Sequence, residues 1–337
     1  MEQIKITTIE AHTAGEPLRI ITSGYPEVPG KTILERRAYA REHLDHLRRM
    51  LMLEPRGHAD MYGALLLPPA TDDGDVGVLF LHNEGYSTMC GHGIIAMVKV
   101  GLEHGLFEAD EHDIKIDTPA GRIRARAHRQ GGIVTDVSFL NVPSFVFAET
   151  MVEVSELGRV PCTIAYGGAF YAYVDADALG LTLDTTHCQE LIRHGMAIKR
   201  AVMRDCPLNH PSGDADLNFL YGTIFVAKQE GAHSRNVCIF ADGEVDRSPT
   251  GTGVSGRAAI HHARGELGDE WIRIESILGT SFEVRVASVV ACGKSTDGKS
   301  PDRDSIVPEV RGRAHVTGKA EFWMDPDDPL RDGFVIR

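Results

Sequence analysis

A chain of 337 residues with 42% hydrophobic and 25% charged residues has the balance of a globular protein, long enough for two domains of ordinary size. Its net charge of -13 repels phosphate backbones and argues against nucleic acid as a partner. No stretch approaches the length of a membrane span, so no membrane partner is expected.

The N-terminus, Met1-Glu2-Gln3-Ile4-Lys5-Ile6, lacks the basic stretch and apolar run of a secretory leader. Six scattered cysteines (Cys90, Cys162, Cys188, Cys206, Cys238, Cys292) form no Cys-x-x-Cys pair and read as reduced thiols of a cytoplasmic protein. Thr32-x-x-Glu35 is a capping box that opens an amphipathic helix. On it Arg36, Arg37, Arg41, Arg48 and Arg49 alternate with Glu35, Glu42 and Asp45, the pattern of a solvated face that also carries His43 and His46. The runs Ala64–Leu67 and Val78–Leu81 read as strands, with Pro68-Pro69 and Asp73-Gly74 marking the turn between them. After Met89-Cys90-Gly91-His92-Gly93 comes a helix to His104 that is apolar on most sides and so buried, stopped at Gly105. A β-like segment around Gly121 follows, and Thr186-x-x-Gln189 is a second capping box.

From here the chain repeats itself at an interval close to half its length. Tyr221-Gly222 and Thr223–Val226 match Tyr62-Gly63 and Ala64–Leu67, and Cys238–Ala241 matches Val78–Leu81. Pro249-Thr250-Gly251-Thr252-Gly253 matches the Cys90 motif, with Gly265 in the place of Gly105 and Gly279 in that of Gly121. The expected fold is therefore α/β (α+β), two pseudo-symmetric halves that each wrap strands around a central helix. The expected division is 1–155 and 156–337, with the C-terminal strands free to return to the first half. A two-fold-like relation would set the two motifs face to face in a cleft.

Each motif puts a nucleophile-type residue just before Gly-x-Gly at a helix start. The free amides of the first turn and the helix dipole make such a start an anion cradle. That field favours thiolate over thiol at Cys90, and a thiolate of near-neutral pKa is a competent general base. His92 can hydrogen-bond a substrate from within the first cradle. Asp246, four residues before Thr250, is the acid best placed to meet an ammonium group.

Other readings are weaker. Gly251-x-Gly253-x-x-Gly256 spells a dinucleotide fingerprint, but nine residues separate it from the preceding strand and the first motif has Ala96 instead of the third glycine. No His-Glu-x-x-His or Cys/His cluster with ligand spacing occurs, and Ser255 sits in no nucleophile elbow. His261 and His262 read as solvated or structural. Neither a metal nor a cofactor is expected.

At these residues the chain resembles the proline racemase superfamily, whose two signatures correspond to Met89–Gly93 and Asp246–Gly253. The likeness extends to His12-Thr13-x-Gly15-Glu16-Pro17-x-Arg19 and to Glu54-Pro55-Arg56-Gly57-His58-x-Asp60-Met61, and so covers essentially the whole chain. It implies a cofactor-free enzyme of diaminopimelate epimerase-like fold acting on a proline-like amino acid. It also implies that Cys90 is one of two facing acid/base positions. Gly91, His92, Gly251 and Thr252 would hold the carboxylate and its neighbours, while Asp246 with His92 would contact the ring nitrogen.

Thr250 departs from the racemase pattern, which has a second cysteine there. An alcohol cannot hold an anionic charge at pH 7, whereas the model thiol has a pKa of roughly 8.5. The Cys/Thr pair is similar to that of the family's trans-3-hydroxy-L-proline dehydratases. The leading expectation is thus dehydration of trans-3-hydroxy-L-proline to Δ1/Δ2-pyrroline-2-carboxylate, catalysed by Cys90 and Thr250. The alternatives are proline racemase or hydroxyproline 2-epimerase activity, and then a non-catalytic imino-acid binder or thiol redox protein. The expected partner is a small molecule, hydroxyproline, and a homodimer is compatible with the sequence.

Overall fold

The structure, a computed structural model, describes residues 4–290 and 305–336. Met1–Gln3 and Cys292, used in the sequence reading, lie outside them. In chain order the first elements are β1 (Ile4–Thr13), β2 (Glu16–Ser23), α1 (Ile33–His43), α2 (Asp45–Met52), β3 (Tyr62–Leu67), β4 (Val76–His82), β5 (Tyr86–Ser87) and α3 (Gly91–His104). There follow β6 (Ile114–Thr118), β7 (Gly121–Gln130), β8 (Ile133–Leu140), β9 (Phe145–Val154), β10 (Gly158–Tyr166), β11 (Phe170–Asp175) and α4 (Cys188–Asp205). The last are β12 (Leu220–Ala227), β13 (Ser234–Phe240), β14 (Glu244–Val245), α5 (Gly251–Ala263), β15 (Ile272–Glu275), β16 (Ser281–Val290), β17 (Ser305–Gly312) and β18 (Ala314–Met324).

The chain forms two compact units, Met1–Phe139 with Gly312–Arg337, and Leu140–Arg311. The division falls at 139/140, short of 155, because β9 and β10 are one antiparallel hairpin with Gly158 opposite Val154. In unit 1, β18 lies antiparallel on β1 from Met324 opposite Ile4 to Ala314 opposite Thr13.

Each unit has the same pairing scheme. In unit 1, β18, β1 and β2 are antiparallel, β2 runs parallel to β3, β3 is antiparallel to β4, and β4 parallel to β6, which pairs with β7. In unit 2, β9, β10 and β11 are antiparallel, β11 runs parallel to β12, β12 is antiparallel to β13, and β13 parallel to β15, which pairs with β16. The short strands β5 and β14 close the same hairpin in each, on β4 and β13. The sequence repeat is thus a repeat of topology.

Hydrophobic patterning explains the layering. Strand β4 is buried along its whole length, as expected of a strand with helices on one side and a packed core on the other. Helices α1 and α2 lie on β4 in unit 1, and amphipathic α4 lies on β12 and β13 in unit 2. In each unit the helix that follows the motif is the core. From Gly91 to Gly101 every residue of α3 is buried, packed by β1, β2, β3, β7 and β18. Fully burying Ile94, Ile95, Met97, Val98 and Val100 contributes about 1.5–3 kcal/mol each. Helix α5 is buried in the same way from Gly251 to His261, against β9, β10 and β16.

Two local expectations are corrected. Helix α4 does not begin from a Thr186 cap. Asp184 Oδ1 accepts from the Thr186 and His187 amides at 2.9 and 3.1 Å, and this Asx turn opens a short 3-10 stretch, Thr185–His187, ahead of α4. Nor are all five early arginines solvated. Arg37 donates to Tyr86 O, and Arg48 to His82 O and to Asp45, so both are buried as clamps on the β4–β5 hairpin. Their charge alternation gives no warning of this, because the carbonyls they satisfy are distant in the chain.

The turn between β10 and β11 packs directly on α5, where a Cβ at Gly167 would stand 2.3 Å from Thr252 O. Backbone cannot yield as a flexible side chain does. Gly167→Ala is therefore expected to destabilise the protein by about 1–3 kcal/mol, read as a lower urea midpoint at unchanged slope.

Candidate functional site

In unit 1 the site residues gather at the start of α3. Cys90 is the N-cap itself, in extended conformation (φ -146°, ψ 111°), and its Sγ accepts from Gly93 N–H at 3.3 Å. A thiol sulfur thus fills the capping role usually taken by Ser, Thr, Asp or Asn. His92 Nδ1 lies 3.1 Å from that sulfur. Its Nε2 lies 3.3 Å from Pro17 O. A carbonyl only accepts, so Nε2 carries the hydrogen and Nδ1 is left to exchange a proton with Cys90. Thr13 Oγ1 donates to His92 O at 2.9 Å, and the Tyr62 ring stands edge-on to the imidazole at 4.8 Å. Cys90 and His92 are only 5% and 4% exposed, so their chemistry is shielded from bulk water.

This geometry explains the Thr13-x-Gly15-Glu16-Pro17 stretch singled out in the sequence. It is the β1–β2 turn, with Ala14 and Gly15 at φ 54° and 98°, and it brings Thr13 and Pro17 onto His92. Arg19 donates to Arg56 O at 2.8 Å and to Glu10, tying the same hairpin to the Glu54–Met61 stretch.

In unit 2, Asp246, Thr250, Gly251 and Thr252 line the approach to α5 and its first turn, all of them buried. Asp246 Oδ1 accepts from Ser248 N–H at 2.8 Å, and Ser248 Oγ from Thr250 N–H at 3.1 Å. Burial pushes the Asp246 carboxyl above the ordinary range, and Ser248 and Thr250 pull it part of the way back. Thr250 is the N-cap but, unlike Cys90, does not cap with its side chain and sits at φ 68°, ψ 99°. A β-branched residue there is strained. Its Oγ1 is buried and makes no hydrogen bond among the described residues, although it lies near enough to Asp246 to favour that group's charged form.

Sequence reading missed two residues here. Tyr171 Oη pairs with Thr252 Oγ1 at 2.6 Å, and Tyr173 Oη donates to Gly253 O at 2.8 Å. Both are fully buried, which pushes their phenols well above the usual range and keeps them neutral donors. The available signal was two tyrosines at i, i+2 in an otherwise apolar strand, both on one face and both needing a partner for the hydroxyl. The apparent dinucleotide fingerprint also finds its use in packing. A Cβ at Gly253 would meet Ile224 Cδ1 at 2.5 Å, and one at Gly256 would meet Tyr173 Oη at 2.1 Å, so these glycines seat α5 on its strands. Among the described residues no three His, Cys, Asp or Glu side chains converge to hold a metal ion, and no helix is long and apolar enough to cross a membrane.

Two buried helix starts, one carrying Cys-Gly-His and the other Thr-Gly-Thr behind an Asp, on two units of one topology, match a known pattern. The proline racemase family profile spans residues 8–335. The chain belongs to the proline racemase family. Within that family it is 48% identical over 340 residues to the trans-3-hydroxy-L-proline dehydratase of Colwellia psychrerythraea, covering 99% of this chain and 93% of that one. It is 43% identical over 343 residues to the human protein of the same name, covering 98% and 95%. Among solved structures it superposes on a hydroxyproline epimerase from Agrobacterium vitis, crystallised with trans-4-hydroxy-L-proline, with a TM-score of 0.90 and 28% identity, covering 99% of this chain and 96% of that one.

The left-handed conformation of Thr250 has a measurable consequence. Thr250→Ala keeps the Cβ that makes φ 68° costly, whereas Thr250→Gly removes it. The glycine variant is expected to be the more stable of the two by about 1 kcal/mol, read by thermal unfolding of both.

Proposed function

We propose that this protein is a hydro-lyase that converts trans-3-hydroxy-L-proline to Δ2-pyrroline-2-carboxylate and water, the product then tautomerising to the Δ1 form. The observation that carries the reading is the unlike chemistry of the two matching N-caps. Cys90 offers a thiol held by Gly93 N–H and His92, while Thr250 offers an alcohol with no base beside it but the Asp246 region. One acid/base thiol suits an elimination better than the inversion of a stereocentre, which needs a base on one face and an acid on the other.

In this reading the Cys90 thiolate takes Hα from the substrate. The electron pair left at Cα is stabilised by the carboxylate, bound at helix-start amides of Gly91, Gly251 and Thr252, and by the protonated ring nitrogen, met by Asp246 and His92. That pair then forms the Cα–Cβ double bond as the C3–O bond breaks, and the departing hydroxide leaves as water with the proton that Cys90 received. In the trans isomer Hα and the C3 hydroxyl lie on one ring face, so one group can serve both. Thr250 binds substrate from a position where a racemase would hold its second base. The burial that pushes the Asp246 carboxyl up is offset when a cationic nitrogen binds, so substrate and carboxylate charge support one another.

Six scattered cysteines with no Cys-x-x-Cys pair fit a reducing compartment, and a cytoplasmic enzyme is the accompanying reading. A homodimer is a further part of the proposal, checked by sedimentation.

Incubation with trans-3-hydroxy-L-proline should yield a pyrroline, and L-proline in deuterated water should give no D-proline. Inversion without dehydration would overturn the reading in favour of a racemase. Cys90→Ser should lower kcat/KM by about 10³-fold, and Thr250→Ala by clearly less. Equal losses in the two variants would sink the single-thiol scheme.

A further inference from the structure

Helix α5 carries a charge that the proposed chemistry does not use. Arg257 is buried, yet among the described residues none of its hydrogen bonds goes to a carboxylate. Nη1 donates to Asn236 Oδ1 at 2.8 Å, Nη2 to Ser234 Oγ at 3.2 Å, and Nη2 and Nε to His261 Nε2 at 2.9 and 3.3 Å. A buried cation is costly to keep unless its geometry is put to use.

The direction of every bond in this chain follows from the arginine. A guanidinium only donates, so His261 Nε2 accepts and the imidazole hydrogen sits on Nδ1, facing Glu266 Oε2 at 2.6 Å. Burial, with Arg257 adding to it, pushes His261 down to about 4, so the ring stays neutral and keeps that role. By the same logic Asn236 must turn its oxygen to Arg257, which turns its amide nitrogen the other way. There Nδ2 donates to Pro249 O at 3.3 Å. Pro249 precedes Thr250, and its carbonyl belongs to the peptide whose rotation sets Thr250 at φ 68°.

The first half has no such device. The helix position of Arg257, seven residues after the N-cap, is Met97 in α3, and the stretch of β4 that corresponds to Asn236, Val76-Gly77-Val78, bears no polar side chain. Nor is one required there, since Cys90 has an ordinary extended conformation and its own sulfur caps the helix. Thr250 has neither advantage.

We propose that Asn236, oriented by Arg257, is a positioning residue that holds the Pro249–Thr250 peptide in its left-handed form and so presents Thr250 and the amides of Gly251 and Thr252 to the substrate carboxylate. The proposal rests on the substrate roles given to those residues above. Loss of the Nδ2 donor lets the peptide rotate and Thr250 relax to negative φ, which removes the cradle without disturbing the core.

Asn236→Asp is nearly isosteric and keeps an acceptor for Arg257, with which its carboxylate forms an ion pair that holds the helix side of the network, while the donor to Pro249 is lost. The variant should melt within about 3 °C of the parent, while KM for trans-3-hydroxy-L-proline and Kd for pyrrole-2-carboxylate rise about tenfold or more and kcat changes less. In a Thr250→Gly background, where the left-handed conformation needs no support, the same substitution should change the Kd less than threefold. Unchanged KM and Kd in Asn236→Asp would overturn the proposal, and so would an equal loss of affinity in both backgrounds. A variant that melts ten degrees lower or does not fold would make the network structural and overturn it as well. If the parent enzyme binds pyrrole-2-carboxylate but forms no pyrroline, the dehydratase reading fails while the Kd comparison still decides this one.

Discussion

A buried α-helix starts with amide groups that have no partner inside the helix, and in this protein two such helices form the centres of two strand-built units. The apolar residues of α3 and α5 drive those starts into the interior, where water cannot satisfy them. The structure answers with caps and with glycines that let the backbone come close. In the proposed function the substrate carboxylate completes these starts, because a helix wrapped on all sides leaves its positive end as the feature that a ligand can complete.

The two units meet this common constraint by different means. In unit 1 the cap is a thiol. Cys90 fills an amide's need with its sulfur, and His92, tied to the β1–β2 turn, holds the other side of that sulfur. In unit 2 the cap is a threonine in a strained conformation, with a hydroxyl that makes no hydrogen bond among the described residues. The supporting groups are correspondingly heavier: Ser248 on the Thr250 amide, Asn236 on the Pro249 carbonyl, and Tyr171 and Tyr173 on the first turn of α5. The same strand pairing thus carries a thiol at one helix start and an alcohol at the other, the difference on which the proposed function rests.

Much of this was legible without coordinates. The repeat is spelled in short motifs whose residues have separate reasons to be there: glycines for close packing, a thiol or alcohol before them, and apolar runs at strand and helix periods. What could not be read were contacts that join residues far apart in the chain. Arg37 and Arg48 alternate with acids and look solvated, yet they clamp carbonyls more than thirty residues away. Asp184 won the start of α4 from Thr186 because an Asx turn competes with a capping box, and local pattern alone does not rank them.

By itself the amino-acid sequence determined the two α/β halves, the buried helix behind each motif, the identity of Cys90 and Thr250 at its start, and the family to which they belong. These are properties of local pattern and residue type, which neighbours in the chain suffice to express. Only the tertiary structure decided that Gly312–Arg337 returns to the first unit, that Pro17 orients His92 against Cys90, and that Thr250 stands in a left-handed conformation above a buried Asn236 and Arg257. Each of those depends on which distant groups burial forces together, and burial satisfies polar groups with whatever partner the packing provides.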